Sequence, residues 1–111
     1  MRAIERVKSH YKRAKNQIID VPEWGARDHP FKIYYDPMTP NQRKRVNDEN
    51  EGLDPEAFVD VLVMKAQDEN GEKLFNADDK HKLLTEADGA IIGRIAVQML
   101  GPCDAREIEK N

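Results

Sequence analysis

The chain has 111 residues, of which 39% are hydrophobic and 35% are charged, and it carries a net charge of -3 at pH 7. This length supports one modest hydrophobic core and is too short for two ordinary domains. Since no apolar run approaches the roughly 20 residues of a membrane span and the N-terminus lacks the apolar core of a secretory signal, we expect a cytosolic protein without a membrane partner.

Residues 2–18 predict an amphipathic basic helix, because they contain neither Pro nor Gly and repeat apolar residues at helical spacing. The apolar positions are Ala3, Ile4, Val7, Tyr11, Ala14 and Ile18. The basic positions, which we call the basic surface, are Arg6, Lys8, Lys12, Arg13 and Lys15. In the interpretation that we favour, the apolar residues at 4, 7, 11 and 18 dock on the core while the lysines extend into water. In the alternative interpretation, the basic surface binds nucleic acid or another acidic surface.

A β-hairpin is predicted next. Residues 31–35 alternate, with large apolar side chains at the odd positions, as a half-buried strand does. Residues 21–24 are the expected partner strand, and Pro22 restricts that strand to a short or edge position because it has no amide hydrogen. We expect Trp24 to cover the small sheet rather than to form a platform for a ligand.

The next helix is predicted to begin at Thr39 with a capping box, in which Gln42 completes the box and Pro40 occupies the first helical position. This helix is polar. Its basic residues 43–45 are interpreted as a solvated patch, and the segment 47–52 is interpreted as a mobile loop because it has no apolar residue.

A central helix is predicted to start at Asp54 and Pro55, again with a cap followed by proline. Residues 58–66 are apolar almost all round, which indicates the centre of the core or of an assembly interface. The valines also permit a strand, but the capped start and the length favour a helix.

The acidic segment 68–72 invites a calcium interpretation, but an EF-hand loop requires glycine at the sixth position, where Lys73 stands. We therefore interpret Asn70 and Gly71 as a tight turn, because both residue types tolerate positive φ. The turn leads to residues 74–75, Leu and Phe, which we expect to be a buried anchor.

Two further helices complete the chain. Asn76 is predicted to cap the first of them, with Leu83 and Leu84 facing the core. Asp88 is predicted to cap the second, which ends at Gly101. The last helix has an apolar stripe formed by Ile92, Ile95, Ala96, Met99 and Leu100. Its internal glycine, Gly93, allows a close approach to another helix.

These elements predict a mainly α-helical α+β fold with four to five helices and one small antiparallel β-hairpin. The sequence offers no site for chemistry: His10, His29 and His81 do not have metal-ligand spacing, and no phosphate-binding glycine loop or nucleophile elbow is present. The single cysteine, Cys103, cannot form an internal disulfide. We therefore predict a protein that is not an enzyme and has no metal, no cofactor and no catalytic residues.

Several motifs occur in a characteristic order: Val-Pro-Glu-Trp-Gly at 21–25, a strand with Tyr34, a Met-Thr-Pro-Asn-Gln-Arg helix start at 38–43, and Asp-Glu-Asn-Gly-Glu-Lys-Leu-Phe at 68–75. With the central and closing apolar helices, this order resembles the tail assembly chaperones of long-tailed bacteriophages and prophages. The resemblance covers residues 21–101. It divides the chain into an N-terminal basic amphipathic helix at 1–20, the chaperone-like domain at 21–101 and a frayed tail at 102–111.

The resemblance implies a non-catalytic morphogenesis factor that binds the tape measure protein and keeps it soluble until tail tube subunits polymerise. It implies the tape measure protein and the tail tube protein as partners, homo-oligomers, residence in the host bacterial cytoplasm and absence from the mature virion. Two alternatives stay open, a nucleic-acid-binding accessory protein that uses the basic surface and a minor structural tail protein.

A predicted partner interface follows from the two apolar helices, because they contain more apolar positions than one small core needs. Its residues are Val59, Val63, Met64, Ile92 and Met99.

Overall fold

A computed structural model describes the chain over residues 2–26, 28–50 and 54–101. The elements in chain order are α1 (Ala3–Ala14), β1 (Gln17–Ala26), β2 (His29–Tyr35), α2 (Pro40–Glu49), α3 (Pro55–Lys65), a short 3-10 helix (Ala77–Asp79), α4 (Lys80–Glu86) and α5 (Gly89–Leu100). Within these ranges the fold has five α-helices and one two-stranded antiparallel sheet. The predicted fold class, mainly helical α+β with one hairpin, is confirmed.

The junction between α1 and β1 differs from the prediction. The helix ends at Ala14 rather than near residue 18, and Asn16 turns the chain with a φ of 62°. Asparagine is one of the few residues other than glycine that adopts positive φ readily. The chain then enters β1 at Gln17, where β-branched residues at 18, 19 and 21 suit a strand.

The hairpin is longer than predicted. β1 and β2 pair in regular antiparallel register from Gln17 opposite Tyr35 to Val21 opposite Phe31, and the register then shifts before Ala26 meets His29. Pro22 follows the last regular pair, where a residue without an amide hydrogen does least harm. The strand prediction for residues 31–35 is confirmed.

One face of the hairpin supplies part of the core. Ile19 and Ile33 are directly opposite each other and both are buried, and Val21 and Tyr35 are buried on the same side. The segment after α3 attaches to β2, because Tyr34 and Gln67 exchange two backbone hydrogen bonds of 2.9 and 2.8 Å. The hairpin is thereby tied to the helical part of the fold.

The predicted caps of α2 and α3 are confirmed. Thr39 and Gln42 form the capping box, and the Asp54 carboxylate accepts a hydrogen bond of 2.8 Å from the Ala57 amide. α2 nevertheless runs to Glu49, so the expectation of a loop from residue 47 onward is wrong for residues 47–49.

Two ion pairs explain the longer α2. Lys44 pairs with Asp48 at 2.9 Å and Arg45 pairs with Glu49 at 3.6 Å, both four residues apart along the exposed side. Asn50 is the C-cap of α2, and the last two residues of the predicted loop, 51 and 52, lie outside the described residues.

The centre of the core is the contact between α3 and α5. Leu62 and Ile95 are fully buried, and all five residues of the predicted α5 stripe are buried. A Cβ atom at Gly93 would lie 3.8 Å from the Phe58 ring, an ordinary van der Waals distance, so this glycine faces α3 as expected. α5 ends at Gly101, which has a φ of 92°.

The segment between α3 and α4 is held by polar side chains. The Asp68 carboxylate accepts hydrogen bonds from the amides of Asn70 and Glu72, and Gly71 has a φ of 84°, which confirms the predicted turn. Asn76 and Asp79 then form a capping box at the 3-10 helix. Leu83 packs against the core, but Leu84 is 41% exposed, so the expectation that it faces inward is wrong.

Within residues 2–26, 28–50 and 54–101, no helix is both long enough and apolar enough to cross a lipid bilayer.

Candidate partner-binding surfaces

The structure does not bring the predicted partner interface together as a surface. Val59, Ile92 and Met99 are each no more than 3% exposed, because α3 and α5 pack these side chains against each other. Val63 and Met64 are half-buried at the edge of the core. A partner would have to open the core to reach the first three residues, so the predicted interface does not describe a face of the folded chain.

Apolar surface is exposed instead on α1. None of the residues Ala3–Ala14 is buried, and Ile4 and Val7 are 45% and 62% exposed. The interpretation that these residues dock on the core is therefore wrong for Ile4 and Val7, whereas Tyr11 is half-buried. It is also wrong for Ile18, because the early end of α1 places this residue in β1, where it is 47% exposed.

α1 rests on the turn that connects β2 to α2. The Tyr11 hydroxyl donates a hydrogen bond of 2.8 Å to the Pro37 carbonyl oxygen, and the Asn16 amide donates one of 3.1 Å to the Asp36 carboxylate. The Pro37 oxygen also accepts from the Nζ of Lys65 at 3.5 Å. One backbone oxygen thus receives a donor from α1 and a donor from α3.

Lys65 is a buried ammonium beneath this turn. Its side chain belongs to a residue that is 4% exposed, and its Nζ also donates to the Gln42 side-chain oxygen at 3.1 Å. Among the described residues, no carboxylate forms an ion pair with it. Burial lowers the pKa of Lys65, Asp36 opposes this by raising it, and Lys15 lowers it further.

A groove runs between α1 and the turn, and we call it the α1 groove. Its volume is about 440 Å³. It is lined by Val7, Lys8, Tyr11, Lys12, Lys15, Met38, Thr39 and Pro40. The floor is apolar, and three lysines stand beside it. Lys15 also lies over the Tyr11 ring, with its Nζ 5.8 Å from the ring centroid.

The groove divides the predicted basic surface into two groups. Lys8 and Lys12 are four residues apart on one side of α1, Lys15 follows directly after the last residue of that helix, and all three line the groove. Arg6 and Arg13 are exposed and are not among the lining residues. Sequence reasoning found the lysines but missed that Met38 and Pro40 line the groove. The sequence predicts Pro40 only as the first residue of α2, and the available signal was Met38, an apolar residue just before the Thr39 cap.

A second groove lies beside Trp24 of the hairpin. Trp24 packs with its ring centroid 6.4 Å from the rings of both Phe31 and Phe75, so the expectation that it covers the sheet is confirmed. Beside it is a space of about 410 Å³. Its lining is Trp24, Leu74, Phe75, Asp79, Lys82, Leu83, Glu86 and Ala87. This Trp24 groove carries both signs of charge.

The described part of the chain contains no group of three or more His, Cys, Asp or Glu side chains arranged to share a metal ion. One acidic side chain of the former calcium candidate, Asp68, is used as an acceptor for backbone amides in the turn. Cys103 lies outside the described residues.

Comparisons of the chain with protein-family models, with curated proteins and with solved structures found no match. What the chain does must therefore be inferred from its own residues. The relevant features are the ordered motifs of residues 21–101, the exposed apolar side of α1 and the two grooves.

Proposed function

We propose that this protein is a tail assembly chaperone that binds the apolar helices of a tape measure protein and keeps that protein soluble until tail tube subunits polymerise around it. No covalent bond is made or broken in this activity. The observation that carries the proposal is the exposed apolar side of α1, next to a core cluster that includes no residue of this helix.

The exposed side of α1 has a physical cost that a partner would remove. A helix of 12 residues is marginal in water when nothing packs on it. Each Å² of apolar surface that leaves water contributes roughly 25 cal/mol, so covering Ile4 and Val7 stabilises both the helix and its partner. Such a helix suits a protein that holds apolar surface temporarily.

The motifs that resemble the tail assembly chaperones have structural roles in this chain. Glu23 pairs with Arg94 of α5, Trp24 packs between Phe31 and Phe75, and Asp68 closes the turn before Leu74. The resemblance therefore concerns the scaffold of residues 21–101. The proposal assigns binding to α1, which precedes that scaffold in the chain, and to the two grooves.

The same proposal includes the tail tube protein as a further partner, homo-oligomers of the chain, a place in the host bacterial cytoplasm and absence from finished particles. A minor structural tail protein would have the same fold but would be retained. Mass spectrometry of purified particles separates these two roles, and detection of the chain at stoichiometric levels would exclude the chaperone.

The direct test is coexpression with the tape measure protein encoded by the same genome. We expect the tape measure protein to move into the soluble fraction and to copurify with the chain. The matched control is the chain with Ile95→Asp, which is expected to unfold the core and abolish the effect. Equal insolubility of the tape measure protein with and without the wild-type chain, together with no copurification, would refute the proposal.

A nucleic-acid-binding accessory role is the second candidate, and it is favoured by the exposure of all five residues of the basic surface. Their attraction to phosphates would weaken steeply as salt increases. Absence of DNA and RNA retention at about 50 mM salt excludes this role.

A further inference from the structure

We propose that the α1 groove is the docking site for an amphipathic helix whose apolar stripe is flanked by carboxylates. The inference rests on the proposed function and deepens it, because it names the surface that holds the partner and the charge that the partner must carry. It concerns α1 and the turn at residues 36–40.

The shape of the groove suits a helix. Val7 and Tyr11 line the groove from α1, and Met38 and Pro40 line it from the turn and the start of α2, so both sides contribute apolar surface. A volume of about 440 Å³ falls within the range of sites that bury side chains of a ligand. A second helix alongside α1 would insert its apolar stripe there and cover Val7, which is 62% exposed.

The groove is also fixed in place. The hydrogen bond of 2.8 Å from Tyr11 to the Pro37 oxygen holds the α1 wall against the turn, and the capping box of Thr39 holds the start of α2. The walls therefore come from elements with defined hydrogen bonds, which reduces the ordering that binding requires.

The charges select an acidic partner. Lys8, Lys12 and Lys15 all line the groove and are exposed, so three ammonium groups stand beside its apolar floor. Burial and, after it, the Asp36 carboxylate in this turn raise the pKa of Tyr11, whereas burial lowers the pKa of Lys65 and Asp36 partly opposes that change. Carboxylates beside the apolar stripe of a bound helix would pair with these three lysines, whereas a basic helix would be repelled.

An apolar floor favours a helix over a nucleic acid. Phosphates would engage the lysines but would leave Val7 and Met38 in contact with water. The Trp24 groove is less selective for charge because Asp79 and Glu86 stand there together with Lys82. The α1 groove is thus the better site for an acidic amphipathic helix.

The test uses two synthetic amphipathic peptides of about 18 residues, long enough for five turns. Both carry the same leucine stripe, flanked by glutamates in one peptide and by lysines in the other. Binding to the full chain is measured by fluorescence anisotropy. The groove variant is Lys8→Glu with Lys12→Glu, and the control is Arg6→Glu with Arg13→Glu, which changes the net charge equally on α1 but away from the groove.

We expect the acidic peptide to bind the wild-type chain and to bind the groove variant at least about tenfold more weakly, while the control stays within about threefold of wild type. The lysine peptide should gain affinity for the groove variant. Equal affinity of the wild type for both peptides, or equal losses in the two variants, would overturn the inference. So would binding of a DNA duplex that depends on Lys8 and Lys12 without any binding of the acidic peptide.

Coexpression with the tape measure protein separates this inference from the proposed function. If the groove variant solubilises the tape measure protein as well as wild type does, the inference fails and the proposed function stands. If the acidic peptide binds with the expected pattern but the tape measure protein is not solubilised, the groove stands and the proposed function fails.

Discussion

The carboxylate of Glu23 on β1 accepts two hydrogen bonds from the guanidinium of Arg94 on α5, at 2.8 and 2.9 Å. The planar fork of arginine matches both oxygens of a carboxylate. Arg94 lowers the pKa of Glu23 to about 2, mainly through these hydrogen bonds. The pair joins the hairpin to the last helix across the surface, since both side chains are partly exposed.

Because of this pair, we expect the difference in thermal stability between wild type and Glu23→Gln to depend on pH in the acidic range. The folded-state pKa is below the ordinary value of 4.5, so the stabilisation is present above pH 4.5 and is lost as the pH falls toward about 2. Thermal unfolding should show a lower Tm for the variant near neutral pH and converging values as the solution is acidified. A Tm difference that does not change with pH would contradict this origin.

The core contact predicts that Ile95→Asp unfolds the domain. Ile95 is fully buried against α3, and an uncompensated buried charge destabilises a protein by about 3 to 5 kcal/mol. The matched control is Val97→Asp, two residues away on the same helix, where the side chain is 56% exposed. Circular dichroism with urea titration measures both. A cooperative, wild-type midpoint for Ile95→Asp would show that this face is not core.

We expect a substitution of Gly25, near the tip of the hairpin, to destabilise the fold. A Cβ atom there would lie 2.5 Å from the backbone nitrogen of Phe31 and also against the carbonyl of His29, and backbone atoms cannot move aside as a flexible side chain does. We expect Gly25→Ala to lose about 1 to 3 kcal/mol in the free energy of unfolding.

The control for Gly25 is Gly89→Ala at the start of α5, where a Cβ atom would meet nothing within 4 Å. That change should be neutral or stabilising by about 0.5 to 1 kcal/mol, because alanine favours the helix. The comparison is made by chemical denaturation of both variants. Equal effects of the two substitutions would rule out the backbone contact as the cause.

The buried ammonium predicts that Lys65→Met is tolerated. Removing Nζ leaves no acceptor without a donor, because the Pro37 oxygen keeps Tyr11 and the Gln42 side-chain oxygen keeps the Thr39 amide. Near neutral pH we expect unchanged stability or a gain of about 1 kcal/mol, since a desolvated charge is replaced by an apolar chain of similar length. A loss above about 2 kcal/mol would show that the ammonium makes an essential contact.

The effect of Lys65→Met on the free energy of unfolding should also change with pH, in a direction that follows from the pKa of Lys65. Burial lowers the pKa of Lys65 below 10.5, so the unfolded chain binds more protons than the folded chain between the two pKa values. The stability of wild type should therefore rise relative to Lys65→Met as the pH is raised toward 10.5. Urea titrations of both proteins at several alkaline pH values measure this.

Local chemistry made most of the fold predictable. The caps at Thr39, Asp54 and Asp88, the turn at Gly71 and the stripe of α5 depend on neighbours within a few residues, and the sequence contains those neighbours. Their predictions were correct because no distant contact overrides them.

The end of α1 was predicted wrongly because residues 17–21 are compatible both with the helical period of about 3.6 residues and with the strand period of 2. Ile18 continues the helical spacing of α1, but the same segment alternates as a strand does. The helix gives way to the strand at Asn16, whose positive φ starts the turn. The sequence does not reveal this, because asparagine tolerates a positive φ but does not require it.

The candidate site was only partly predictable for a related reason. Helical spacing identified the apolar and basic sides of α1, but which surface α1 meets depends on where the hairpin carries it. Met38 and Pro40 contribute to the groove through the path of the chain after β2, and this path is not encoded in any local pattern around α1.

The Pro37 carbonyl oxygen joins α1 to the interior, and it keeps a donor from Lys65 when Tyr11 leaves. Loss of the Tyr11 contact would therefore leave this oxygen with a donor, and hydrogen-deuterium exchange should be faster in α1, none of whose residues is buried, than in α5. Local opening of α1 could therefore release a bound partner while the core between α3 and α5 stays folded.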